Sequence, residues 1–321
     1  MSETMSTSLK SDQIPGRSGR RFLITGANSG IGYQAALKLA RTRKDAELIL
    51  ACRDSRKGEE AIARLREQAP GARTELAILD LASMASVWAF AEAELARNRP
   101  IHVLINNAGV MALPRRMETV DGFEMQFATN VLAHFALTGL LLPALQRAAA
   151  TSPERPRVVT VASLAHKRTH LNFDDLQSVK EYSPLRAYQQ SKLANLMLAF
   201  ELSRRLRAAG SSIISVAAHP GVASTALFRT DDRSATVKAL RTVAGHAIGI
   251  VLNTDSEGAL PTLFAATSPA AQDGAYYGPQ GFGEMRGDTV GPAKVAPQAR
   301  DQAAAERLWH ICEDLTGLRY L

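Results

Sequence analysis

Three glycines, in Thr25-Gly26-Ala27-Asn28-Ser29-Gly30-Ile31-Gly32, separate a short apolar run at Arg21 to Thr25 from an amphipathic helical stretch at Gly30 to Ala40. A strand that feeds a helix through so many glycines makes a tight turn that another group can approach closely along the backbone. The helix start then presents free N–H groups and the positive end of its dipole to an anion, so the turn reads as a phosphate cradle built from Gly26, Asn28, Ser29, Gly30, Ile31 and Gly32. The spacing TGxxxGxG differs from the common GxGxxG, and it lacks the GK[ST] ending of a nucleotide P-loop. A glycine-rich turn without chemical use is the competing reading.

Downstream the alternation continues. Strand-like runs at Glu47 to Ala51, Thr74 to Leu79, Ile101 to Ile105, Arg157 to Ala162, Ser212 to Ala217 and Ala275 to Tyr277 are separated by helical stretches at Ser55 to Gln68, Ser83 to Arg97, Gly122 to Ala148, Leu185 to Ala209 and Asp255 to Thr267. This is the pattern of βαβ units, and it predicts an α/β fold. We expect a single Rossmann-type, doubly wound parallel sheet of about seven strands with helices on both faces. Residues 1–19 are polar and read as a flexible tail, and 20–321 as one dinucleotide-binding and catalytic domain. Two segments after strand ends, His166 to Pro184 and Val222 to Asn253, lie where ligands bind in open α/β sheets. We read 222–253 as a substrate lid, the other reading being the core face of one or two helices.

Composition narrows the partners. The net charge of +7 comes from Lys and Arg scattered among Asp and Glu, so no nucleic-acid partner is expected. No run of about 18 apolar residues occurs, so no membrane span is expected. The two cysteines, Cys52 and Cys312, form neither a CxxC nor a metal pattern, which points to a reducing, cytoplasmic location and no metal site. His166, His170 and His219 fit no common ligand spacing and read as loop or capping residues.

The second strand ends in Cys52-Arg53-Asp54. In a dinucleotide fold this end lies beside the adenosine ribose, where a carboxylate selects the 2′-hydroxyl of NAD(H) and a cation attracts the 2′-phosphate of NADP(H). Cys52 stands in the acidic position and Arg53 follows, so NADP(H) is expected. Asp54 is either a ribose ligand that admits NAD(H) or the N-cap of the next helix. After the third strand, Asp80-Leu81 falls where adenine should sit, with Asp80 either accepting from the adenine amino group or capping a helix.

Tyr188 and Lys192, in YQQSK, are four apart in a helical stretch and project from one face. A nearby ammonium favours the phenolate, which draws a phenol with an ordinary pKa of about 10 toward acid/base work. Alone the pair is weak, since such pairs are common on helix surfaces. Its neighbours give it context: Ser163 closes the fifth strand, Asn107, Ala108 and Gly109 close the fourth, and Asn130 interrupts an apolar helical segment and so needs polar partners. His219-Pro220-Gly221 closes the sixth strand, with Val222 and Thr225 beyond.

TGANSGIG, NNAG, Asn130, Ser163, YQQSK and PGVAST occur in the order that resembles the short-chain dehydrogenase/reductase family, over roughly Arg20 to Gly278. ILACRD, VASLAH, HPG and YYGP resemble its retinol dehydrogenase and WW-domain-oxidoreductase-like branch. The resemblance implies hydride transfer between NADP(H) and the carbonyl or alcohol of a small, apolar molecule. It implies Tyr188 as general acid/base, Ser163 as carbonyl partner, and Lys192 as modulator of the tyrosine and ligand of the nicotinamide ribose. Asn130 would anchor a water beside Lys192, Asn107 to Gly109 would pass the adenosine ribose, and Pro220, Val222 and Thr225 would face the nicotinamide. A homodimer or homotetramer is also implied. Ser163 and Tyr188 are 25 residues apart, about twice the gap usual in the wider family but similar to that of this branch. The membrane-anchoring N-terminus of the vertebrate retinol dehydrogenases is not matched, which sets retinoid as substrate in doubt. A catalytically silent NADP(H)-binding sensor or scaffold is the alternative function, and four intact catalytic residues argue against it.

Overall fold

The computed structural model describes residues 19–42, 45–222 and 253–321. Its frame is one sheet of eight strands: β1 (Arg21–Thr25), β2 (Glu47–Cys52), β3 (Arg73–Ile78), β4 (Val103–Asn106), β5 (Arg157–Val161), β6 (Ile214–Ala218), β7 (Tyr276–Pro279) and β8 (Val290–Pro292). They lie in the order β3-β2-β1-β4-β5-β6-β7-β8, parallel throughout except for the antiparallel β7–β8 pair. The central strands are near-continuous apolar runs because both of their faces are covered.

One core cluster lies on each face of the sheet. The helices are α1 (Gly30–Thr42), α2 (Ser55–Gln68), α3 (Met84–Ala96), α4 (Met125–Leu140), α5 (Leu142–Thr151), α6 (Pro184–Ala208), α7 (Asp255–Thr267) and α8 (Gln302–Thr316). Among the described residues, no single helix is long and apolar enough to cross a membrane. The C-terminal segment packs on this chain's own core. Trp309 of α8 meets the Phe135 ring edge-on at 4.8 Å, and the Tyr320 hydroxyl donates to the Phe135 carbonyl at 3.1 Å.

Several details differ from the sequence reading. The eighth strand is a three-residue Val-Gly-Pro edge, and neither its length nor its composition marks a strand. The single helical stretch expected over Gly122 to Ala148 is two helices, α4 and α5, bent by 49°. Pro143, in the first turn of α5, lacks an N–H and starts a new helix more readily than it continues an old one. The fourth strand runs from Val103 rather than Ile101. The proposed lid, apart from Val222 and Asn253, lies outside the described residues, as do Thr225 and nearly all of the N-terminal tail.

Chain order places β4 beside β1, on the side away from β2, so the connections diverge there. At such a switch point the loops leaving the carboxyl ends of neighbouring strands separate and open a crevice. Thr25-Gly26 and Asn106-to-Gly109 both emerge at this point.

Candidate active site

The two loops at the switch point are locked together by Thr25. Its hydroxyl accepts the N–H groups of Asn107 at 2.9 Å and Ala108 at 3.0 Å, while Asn107 Nδ2 donates to the Thr25 carbonyl at 2.8 Å. Gly26 has φ +67°, and a Cβ there would lie 3.0 Å from Ala108 Cα. Gly30, with φ +58°, has nothing within 4 Å of that position, so the turn is closed on the protein side and open on the other. No acidic residue occupies the first turn of α1, which leaves its positive end available to an anion.

Gly32 is the tightest position. A Cβ would sit 2.5 Å from Asn107 Nδ2 and 2.6 Å from the Gly26 carbonyl oxygen. Gly32→Ala should therefore force the turn away from the NNAG loop, costing about 1–3 kcal/mol of stability. It should also weaken dinucleotide binding by about tenfold or more. Thermal unfolding together with cofactor titration checks both effects.

Tyr188 lies in the second turn of α6, a helix capped by Ser183, whose hydroxyl accepts from Arg186 N–H. Helical spacing brings Lys192 to the same face, with Nζ 5.9 Å from the Tyr188 ring centroid. Lys192 is buried, and Nζ donates to the Val161 carbonyl at the end of β5 at 2.9 Å. Burial pushes its ammonium down to about 8. Ser163, two residues beyond that carbonyl, caps a 3₁₀ turn (Leu164–Arg168) and lies near enough to Tyr188 to influence its ionisation. Burial raises the Tyr188 pKa, and the Ser163 contact pulls it only partly back. The sequence reading expected Lys192 to lower it; in the protein, desolvation raises it.

Asn130 sits in a π-helical turn, Ala128–Leu132, within α4. Such turns often mark functional positions in helices. Its side chain is fully engaged: Oδ1 accepts from Val110 N–H at 2.8 Å, and Nδ2 donates to the Val110 carbonyl at 3.0 Å and to Ser191 Oγ at 2.9 Å. Ser191 Oγ in turn donates to the Tyr188 carbonyl at 2.8 Å. Asn130 thus ties the NNAG loop to the Tyr-Lys helix. Gly109 makes room, since a Cβ would lie 3.1 Å from Asn130 Oδ1 and 3.6 Å from Lys192 Nζ.

Sequence reading missed His134. Its Nδ1 lies 3.1 Å from the Asn130 carbonyl, which can only accept, so this nitrogen carries the proton. Nε2 then accepts from the Thr25 hydroxyl at 2.9 Å. Burial holds the imidazole neutral, with its pKa pushed down to about 4. One neutral histidine therefore links the glycine turn to the π turn. Its only sequence signal was the four-residue spacing from Asn130.

At the end of β2 the side chain of Cys52 is buried and Arg53 is exposed. Asp54 is the N-cap of α2, accepting from Lys57 N–H at 3.0 Å, so its carboxylate serves the helix. Asp80 Oδ1 accepts from Ala82 N–H at 3.0 Å, and Ser83 rather than Asp80 caps α3. Leu81 is buried beside it.

On the other side of the crevice, Asn253 Nδ2 donates to the Pro220 carbonyl at 2.8 Å and Val222 N–H donates to the Met285 carbonyl at 2.8 Å. His219 is buried and pushed down to about 3 by desolvation. Nearby, Lys167 Nζ donates to Glu284 Oε2 at 2.6 Å, joining the Ser163 turn to the loop after β7. His166 Nδ1 donates to the Ser163 carbonyl at 2.7 Å. His166 and His219 are therefore structural supports on this wall.

The geometry sets an open glycine turn at one end of the switch-point crevice and half-buried Ser163 with buried Tyr188 and Lys192 at the other. Comparison with known proteins agrees. The chain matches the short chain dehydrogenase family over residues 20–236. It is 39% identical over 304 residues to retinol dehydrogenase 13 of Homo sapiens, covering 94% of this chain and 85% of that protein. An uncharacterised protein of Mycobacterium paratuberculosis, known from its crystal structure, is 39% identical with a TM-score of 0.77, covering 98% of this chain and all (100%) of that one. An NADPH-bound carbonyl reductase from chicken fatty liver is 25% identical with a TM-score of 0.58, covering 81% of this chain and 96% of that one.

The chain belongs to the short-chain dehydrogenase/reductase family, whose members are nicotinamide-dependent oxidoreductases acting on alcohol or carbonyl groups. Within that family it is retinol dehydrogenase-like.

Proposed function

We propose that the protein is an NADP(H)-dependent carbonyl reductase for small apolar substrates, with Tyr188 as the proton donor. The observation that carries this reading is the buried Tyr188, held against Ser163 with its pKa raised and with Lys192 on the same helix face. A phenol raised above its ordinary value keeps its proton at neutral pH, which suits donation to a carbonyl oxygen. Bound NADP(H) supplies the hydride in reduction and accepts it in alcohol oxidation.

The residues divide the remaining work. Ser163 Oγ donates to the carbonyl oxygen and orients it, and Tyr188 Oη delivers its proton there as charge builds on that oxygen. Lys192, fixed by the Val161 carbonyl, stabilises the resulting phenolate and holds the nicotinamide ribose. Asn130 positions both residues through Ser191, whose hydroxyl holds the Tyr188 carbonyl. Asn28, Ser29, Gly30, Ile31 and Gly32 cradle the pyrophosphate. Asp80, Leu81 and Asn107 to Gly109 flank the adenosine, and Pro220 and Val222 the nicotinamide.

Support for NADP(H) comes from the exposed Arg53 and from an Asp54 engaged in capping. The similar chicken carbonyl reductase is itself NADPH-bound. Support for an apolar substrate comes from similarity to a retinol dehydrogenase. A panel of aldehydes, ketones and alcohols read with both cofactors tests the assignment. Arg53→Ala should lower kcat/KM for NADPH by about tenfold or more, the worth of a charge-assisted contact, and leave NADH nearly unchanged. Equal loss with both cofactors would remove Arg53 from selectivity.

A further inference from the structure

We propose that Arg64, on the face of α2 turned toward the glycine turn, is a specificity-determining residue that grips the 2′-phosphate of the cofactor together with Arg53 and Lys57. This rests on the NADP(H) reading above and extends it to a residue eleven positions beyond the end-of-strand cation. A cavity of about 620 Å³ opens between the turn and α2, lined by Asn28, Ser29, Lys57, Glu60, Ala63 and Arg64. Two of these residues belong to the phosphate cradle, and α2 begins two residues after Arg53. The cavity therefore adjoins the place where a dinucleotide fold puts the adenosine ribose.

Arg64 is held over this cavity from two sides. Its guanidinium lies 4.8 Å from the Tyr33 ring centroid, and Nη2 donates to the Asn28 carbonyl at 3.3 Å. Nε turns back to the Glu60 carbonyl at 3.4 Å, which leaves Nη1 for a ligand. A planar cation stacked on one face loses little freedom when it takes up a phosphate.

Charge accounting on α2 favours an anion in the same place. Arg56 is paired with Glu60 at 2.7 Å, so the one carboxylate lining the cavity is offset. Arg66 turns to Thr74 of β3. Lys57 and Arg64 remain to line the cavity beside the turn, Lys57 lying 4.0 Å from Asp54. Arg53 stands two residues before α2, so three cations lie on or beside this helix, where a 2′-phosphate would add about two negative charges.

Calorimetric titration with adenosine 2′,5′-bisphosphate and adenosine 5′-monophosphate tests the assignment on the wild type, Arg64→Ala and Arg64→Lys. The wild type should bind the bisphosphate at least about tenfold more tightly than the monophosphate. Arg64→Ala should lose about tenfold for the bisphosphate and less than about twofold for the monophosphate, with Arg64→Lys between. Equal weakening of both ligands would make Arg64 a prop for the turn through Asn28, and no change in either would leave it a surface residue; both outcomes overturn the proposal. A wild type that does not distinguish the two ligands would instead bring down the NADP(H) reading itself. Arg64 is exposed and tied to only a few groups, so the variants should fold.

Discussion

Tyr188→Phe should lower kcat for carbonyl reduction by about 10²- to 10⁴-fold while leaving NADPH affinity within about twofold. The substitution removes one hydroxyl from a buried ring and keeps its packing against α6 and the Ser163 turn. Stability should change by no more than about 1 kcal/mol, the net worth of one hydrogen bond. Steady-state kinetics combined with fluorescence titration of NADPH separates the terms. Ser163 and Lys192 remain in place, so any residual rate measures what orientation and electrostatics achieve without the proton donor.

Lys192→Met should have the second largest effect, and in two opposite directions. Activity should fall by about 10²- to 10³-fold, because a fixed charge that stabilises the developing phenolate is gone. The pH profile should also change. In the wild type the ammonium loses its proton near pH 8, so log kcat for reduction should be level between about pH 6 and 8 and decline above. The variant should lack that break.

Stability should move the other way. The folded pKa of Lys192 lies below that of the free side chain, so between about pH 8 and 10.5 the unfolded chain binds the extra proton and the native state does not. Wild-type stability attributable to this group therefore rises with pH across that window, and below pH 8 the buried ammonium is a net cost. Lys192→Met removes the cost, so its melting temperature relative to wild type should be highest near pH 7. The advantage should shrink toward pH 10.5. Melting curves at several pH values check this, and a gain in stability with a loss of activity marks a strained functional group.

Much of the frame was legible because parallel strands buried on both faces leave apolar runs such as Phe22-Leu23-Ile24 and Leu48-Ile49-Leu50, and because the glycine turn needs a fixed spacing. Tyr188, Lys192, Ser163 and Asn130 were legible as a set because each occupies a definite place relative to a strand end or helix start. The third-dimension partners were not. His134 reads as one more residue of an apolar helix until the sheet brings it to Thr25, 109 positions away. Glu284, the partner of Lys167, is 117 residues distant and sits in a loop with no periodicity. The rise of the Tyr188 pKa through burial was also illegible, since spacing reports proximity and says nothing of how much water is left.

The most direct measurement of the central claim follows the hydride. NADPH deuterated at the transferable position of the nicotinamide, incubated with enzyme and an apolar aldehyde, should yield an alcohol carrying one deuterium on the former carbonyl carbon, in step with cofactor oxidation. Tight NADPH binding without deuterated product, across a broad panel of aldehydes and ketones, would contradict the account and mark the protein as a cofactor-binding sensor or scaffold.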